Sequence, residues 1–131
     1  MRVFVDTSAL LALLNADDEH CARAVKVWRR LLEAEETLVV SNYILVETYA
    51  LVQSRLGIAA ADLLQEEMLP VMTVCWVDEK LHQAGTQILL AERRKKLSLV
   101  DCVSFAVMRH FGFRTVFTFD RHFREQGFEV L

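Results

Sequence analysis

Short runs of consecutive apolar residues alternate along the chain with longer stretches of helical periodicity. Val3-Phe4-Val5 reads as a buried strand, and Thr7 or Ser8 can cap the helix that follows. Residues 20–35 carry Ala24, Val27, Trp28, Leu31 and Leu32 on one face, the stripe of an amphipathic helix. Residues 38–40 predict a second short strand, and Ser41-Asn42 a helix start. Residues 43–56 predict a helix closed by Gly57, and residues 58–69 another, stopped by Pro70. Residues 71–77 predict a third strand. Asp78 is placed to cap a helix reaching about Lys96, and Ser98 to open a mostly apolar helix that ends at Gly112. Residues 115–119 predict a fourth strand, 121–126 a short helical turn, and 128–131 a fifth, edge strand.

Uninterrupted apolar strands alternating with helices predict an α/β fold. Its expected form is a three-layer α/β/α sandwich around a short, mainly parallel sheet. One Pro and four Gly leave no linker or repeat, so residues 1–131 are expected to form a single domain. In such folds, sites form beyond the carboxyl ends of the strands.

Four acids stand where an acid is hard to explain by solvation. Asp6 ends Val3-Phe4-Val5, and Asp120 ends Thr115-Val116-Phe117-Thr118-Phe119. Glu47 lies inside Ile44-Leu45-Val46-Glu47-Thr48-Tyr49, and Asp101 inside Leu99-Val100-Asp101-Cys102-Val103. A carboxylate in apolar surroundings is costly unless it is paired, protonated or bound to a cation. By topology, Asp6 and Asp120 end strands, while Glu47 and Asp101 lie in helices that begin near the same sheet edge. Four clustered carboxylates need counter-charge. Hard ions such as Mg²⁺ or Mn²⁺ prefer such oxygen donors, and the absence of His among the four argues against zinc. Three of the acids also have a local explanation: Asp6 and Asp120 as helix caps, Asp101 as a first-turn acid favoured by the helix dipole.

The bulk numbers exclude several classes. A net charge of −3 gives no global attraction to nucleic acid, so any such contact needs a local basic patch. The run Arg93-Arg94-Lys95-Lys96 is one candidate, and Arg121 another; a solvated helix end is the plain alternative for the run. Cys21, Cys75 and Cys102 have no metal-type spacing and read as reduced thiols of a cytoplasmic protein. Charges interrupt every apolar run well before the ~18 residues of a membrane span. Asp6 before Ala9–Leu14 and Asp17-Asp18-Glu19 after it argue against a secretion signal. The 53% apolar content points to a buried partner surface, as does Ile58-Ala59-Ala60-Ala61-Asp62-Leu63-Leu64.

Val5-Asp6-Thr7-Ser8, Glu47 in its apolar helix, Leu97-Ser98-Leu99-Val100-Asp101 and Thr118-Phe119-Asp120-Arg121-His122-Phe123 together resemble the PIN-domain family. The nearest type is the VapC-like toxin ribonuclease of toxin–antitoxin pairs. The resemblance runs in order over nearly the whole chain. It implies a Mg²⁺- or Mn²⁺-dependent endoribonuclease, usually a homodimer, acting on RNA and held inactive by a small antitoxin. It further implies a metal and catalytic site of Asp6, Glu47, Asp101 and Asp120, with Ser8, Ser104 and Thr118 as polar support. Ser104 lies three residues after Asp101 on one helix side, and Thr118 two before Asp120 on one strand face. The rival from another class is a catalytically inactive RNA- or protein-binding module on the same fold. The presence of all four acids argues against it. A phosphoacceptor receiver domain would need paired acids after the first strand and a Lys after a late one, and both are missing.

Overall fold

Val3, Phe4 and Val5 are consecutive and all fully buried. Neighbouring strand residues point to opposite sheet faces, so both faces here must be covered. A computed structural model describes residues 1–131 and shows why. Five short strands form one sheet: β1 (Arg2–Val5), β2 (Thr37–Ser41), β3 (Thr73–Cys75), β4 (Thr115–Phe117) and β5 (Glu129–Val130). Their order is β3-β2-β1-β4-β5, and every neighbouring pair is parallel. Helices α1 (Thr7–Leu14), α2 (Cys21–Glu33), α3 (Asn42–Leu56), α4 (Ile58–Leu63), α5 (Glu79–Glu92), α6 (Leu99–Phe111) and α7 (His122–Glu125) pack around it. The core runs from Phe4, Leu10 and Phe117 to Phe105 and Phe123, all essentially without solvent exposure.

The strand order carries the functional consequence. From β1 the chain moves outward through β2 and β3, then returns to add β4 and β5 on the other side of β1. The order therefore reverses between β1 and β4. In open parallel sheets, such a switch point leaves a crevice beyond the carboxyl ends of the strands. Asp6 follows β1 directly, and Thr118 to Asp120 follow β4.

Several elements are shorter than the sequence pattern predicts, each for a local reason. β4 stops at Phe117, paired with Val5, because β1 ends there and Asp6 already caps α1. Thr118 and Asp120 are therefore loop residues. β3 spans only three residues because its sole neighbour, β2, turns into α3 at Ser41. The predicted helix over 58–69 becomes α4, a wider π turn (Leu64–Met68) and a 3-10 turn (Leu69–Val71) around Pro70, which has no N–H to continue an α-helix. Helix α5 ends at Glu92, short of Lys96, because Arg93 turns left-handed (φ 51°). The basic run 93–96 is thus part of the α5–α6 loop, anchored by buried Leu97.

Helix α6, which carries Asp101, lies very close to α5. A Cβ placed on Gly85 would sit 2.4 Å from Val103 Cγ2 and 2.9 Å from its Cα, so glycine permits this approach. No helix is long and apolar enough to cross a membrane.

Candidate active site

Asp6 is the N-cap of α1: its Oδ2 accepts the Ser8 N–H at 3.3 Å, which satisfies one free donor of the first turn. The same oxygen accepts the Ser8 hydroxyl at 2.7 Å and the Thr118 hydroxyl at 2.9 Å. A hydroxyl has a single proton. With both protons directed to Asp6, the 3.1 Å separation of the two hydroxyl oxygens adds no further bond. Each hydroxyl is oriented in turn by a backbone N–H of the loop after β4. Phe119 N donates to Ser8 Oγ at 2.9 Å, and Asp120 N to Thr118 Oγ1 at 2.9 Å. The two sides of the switch point are thereby tied through one carboxylate oxygen, leaving Oδ1 without a protein donor.

Asp101 is set by a capping box. Its carboxylate accepts the Ser98 N–H at 3.1 Å, while Ser98 Oγ accepts the Asp101 N–H at 3.1 Å. Asp120 Oδ1 accepts the His122 N–H at 2.9 Å. Glu47, in α3, is half-buried and has no hydrogen bond. All four acids line one open pocket of about 230 Å³, together with Ser8 and Ser98. The explanations of Asp6 as a cap and of Asp101 as a first-turn acid are therefore true and incomplete, because both carboxylates also border the pocket.

The electrostatics are those of anions crowded out of water. Burial raises the Asp6 carboxyl above the usual range despite its Ser8 and Thr118 bonds, and Asp120 adds to the rise. Burial likewise pushes Asp101 up to about 6, with repulsion from Asp120 and Asp6 adding to it and the Ser98 N–H opposing. A cation among them would remove this penalty. The donors present are hard carboxylate oxygens, the chemistry that suits a small divalent ion. The residues fit such an ion.

Not every predicted residue reaches the pocket. Ser8 and Thr118 support Asp6 directly. Ser104 is fully buried, and its hydroxyl donates to Val100 O at 2.8 Å within α6 rather than to an acid. Arg93, Arg94, Lys95 and Lys96 do not line the pocket, and Arg94 is bound to Glu125 of α7 at 2.9 Å. Arg121 lies next to Asp120 but borders a separate cavity.

One residue is closer to the acids than its sequence context suggests. His122 is buried, and its ring, Asp101 and Asp120 each offer a ligand atom within 4.8 Å of the others. Its Nδ1 is 2.7 Å from Asp120 Oδ1, yet neither ring nitrogen makes an aligned hydrogen bond. The two groups are close, but no ring N–H points along the line between them. The available signal was position, two residues after Asp120 at the start of α7.

Residues 3–129 match the PIN domain family, and the chain belongs to that family. It is 33% identical over 130 residues to the 23S rRNA-specific endonuclease VapC20 of Mycobacterium tuberculosis, spanning 96% of this chain and 95% of that protein. The crystal structure of that protein, described as a sarcin–ricin loop cleaving toxin, matches with a TM-score of 0.82 over the same shares of the two chains. FitAcB from Neisseria gonorrhoeae has the same fold at TM-score 0.75 and 20% identity, covering 100% of this chain and 96% of that one. So does VapBC2 from Rickettsia felis, solved on a DNA fragment of its promoter, at TM-score 0.74 and 12% identity over 100% and 98%.

Proposed function

We propose that this PIN-domain chain is a metal-dependent endoribonuclease, the toxin of a cytoplasmic toxin–antitoxin pair. The observation that carries the reading is the convergence of Asp6, Glu47, Asp101 and Asp120 on one pocket at the β1–β4 switch point. The likeness to VapC20 supports an RNA substrate, and loop RNA of the sarcin–ricin type is the first candidate. The VapC-like character supports a small antitoxin as partner. We further propose a homodimer, motivated by apolar side chains left exposed at Val46, Ile58, Leu63 and Trp76.

Asp6, Glu47, Asp101 and Asp120 would hold Mg²⁺ or Mn²⁺. A bound divalent ion supplies polarisation of a water and offsets charge on the phosphate during in-line hydrolysis. The protein supplies position. Ser8 and Thr118 fix Asp6 in one rotamer, and the Ser98 capping box fixes Asp101. No side-chain nucleophile is required, and buried Cys102, whose thiol burial pushes up to about 11, is unsuited to be one.

The test is hydrolysis of a panel of RNA hairpins, including the sarcin–ricin loop sequence, by purified protein in Mg²⁺ or Mn²⁺. Cleavage abolished by chelator and by Asp6→Asn, and retained by Cys102→Ala, is the expected result. RNA binding with no metal-dependent cleavage of any hairpin would instead favour the inactive binding module.

A further inference from the structure

Asp120 borders two cavities. One is the acidic pocket; the other, also about 230 Å³, is lined by Arg23, Arg121 and Arg124 beside Thr118 and Phe119. Arg23 comes from the first turn of α2, while Arg121 precedes α7 and Arg124 lies within it. All three are exposed, and Arg23 and Arg124 make no ion pair with a protein acid. Arg121 approaches Glu125 at 3.7 Å, but the other Glu125 oxygen already accepts from Arg94 at 2.9 Å. Glu125 therefore divides one negative charge between Arg94 and Arg121. Three arginines thus border one cavity whose lining holds a single acidic side chain, Asp120, in a chain whose net charge is −3.

Like charges gathered around a cavity repel one another, and Asp120 offsets only part of their charge. A polyanion would reverse the sign of that energy. The proposed RNA substrate is one, and the acidic pocket cannot itself hold the phosphates on either side of the cut, because its carboxylates repel them. Guanidinium groups suit phosphate oxygens through paired N–H donors. The adjacency of the two cavities at Asp120 supplies the path from one to the other.

We infer that the cavity bordered by Arg23, Arg121 and Arg124 holds backbone phosphates of the RNA strand beside the one being cut. The inference rests on the ribonuclease reading and adds the direction in which the strand leaves the acids. It also assigns the contact to α2 and α7, and away from the basic loop 93–96, which lines neither cavity.

The test compares parent, R23Q/R124Q and K95Q/K96Q by fluorescence anisotropy with a labelled sarcin–ricin hairpin in chelator, over a range of salt. Removing two phosphate contacts should flatten the dependence of log affinity on log salt by about 1.4, taking about 0.7 per contact on single strands. R23K/R124K should keep the parent slope, and K95Q/K96Q should match the parent. In metal, R23Q/R124Q should raise KM about tenfold or more with kcat nearly unchanged. An unchanged slope in R23Q/R124Q, or the whole change appearing in K95Q/K96Q, overturns the assignment. So does loss of binding to a poly-glutamate peptide with RNA binding intact, which would make the cavity a protein-docking site. If the parent binds the hairpin but cuts nothing in metal, the ribonuclease reading fails, while the slope still decides the cavity.

Discussion

The acidic pocket has two unlike halves. Asp6 and Asp101 are 4% and 9% exposed, and neighbouring donors fix both. Glu47 is half-buried and unbonded, and the Asp120 side chain is 28% exposed. The buried half is rigid and electrostatically strained, with both carboxyls raised by burial. The open half is the part of the pocket that solvent reaches. The difference teaches that one chemical group, a carboxylate repeated four times in one pocket, can divide into fixed anchors and freer members. Burial makes the division.

The sharpest test exchanges charge for shape in each half. Asp6→Asn should lower single-turnover cleavage of a hairpin by about 10²–10³, the usual loss for a preorganised electrostatic group. Glu47→Gln should lose only about tenfold, since a longer, unbonded side chain leaves room for water to substitute. Equal losses in the two variants would erase the distinction between anchor and freer member.

Within the buried half, Asp101 gives the next largest effect, and its sign follows from linkage. Its carboxyl is raised from 3.8 to about 6 in the folded chain. Between those values the folded chain holds a proton that the unfolded chain has released, so apo stability must fall as pH rises from about 4 to 6. The full gap corresponds to at most about 3 kcal/mol. Thermal melts in chelator should show this fall in the parent. Asp101→Asn should lose most of it, keeping the share due to Asp6, and above pH 6 should be as stable as the parent or more so. With Mn²⁺ the parent should instead gain stability through the same window, because binding requires the ionised carboxylate. A parent that grows more stable in chelator between pH 4 and 6 would contradict the burial argument.

The parallel sheet was legible because apolar runs such as Val3-Phe4-Val5 carry no alternation, which means two covered faces. The gathering of acids was legible because strand ends and helix starts in such a sheet share one edge. Element ends were not. Thr115 to Phe119 reads as one strand, yet its length depends on where β1 stops, a fact held in another part of the chain. The bond from Thr118 to Asp6 spans 112 positions and has no local signature. Nor could spacing show that Ser104 bonds within its own helix, that Arg94 is occupied by Glu125, or that Arg23 meets Arg124 across two helices. Charge type is local information; what a charge faces depends on the whole fold.

Thr118→Val sharpens the comparison further. It removes the hydroxyl that bridges Asp6 to the Asp120 N–H, so both halves of the pocket lose a restraint. Loss of such a supporting bond usually lowers metal affinity or activity by about 10–100-fold. Titration of Mn²⁺ against protein fluorescence or calorimetry should place Thr118→Val in that range, and Thr118→Ser close to the parent. A parent-like Thr118→Val would mean that burial alone fixes Asp6.

Ser104→Ala should have the smallest effect of all. PIN-family resemblance groups Ser104 with Ser8 and Thr118, but its hydroxyl bonds the Val100 carbonyl one helical turn back. Replacing it with Ala removes one neutral hydrogen bond, worth about 1 kcal/mol. In return it gains helix propensity and leaves an apolar methyl group where the surroundings, including Val103 and Phe105, are buried. These terms oppose each other, so stability should stay within about 1 kcal/mol of the parent. Mn²⁺ affinity and hairpin cleavage should be unchanged, because no acid loses a partner. A tenfold loss of metal affinity with an unaltered melt would show that Ser104 turns toward the pocket when the ion binds, and would return it to the group that holds the acids.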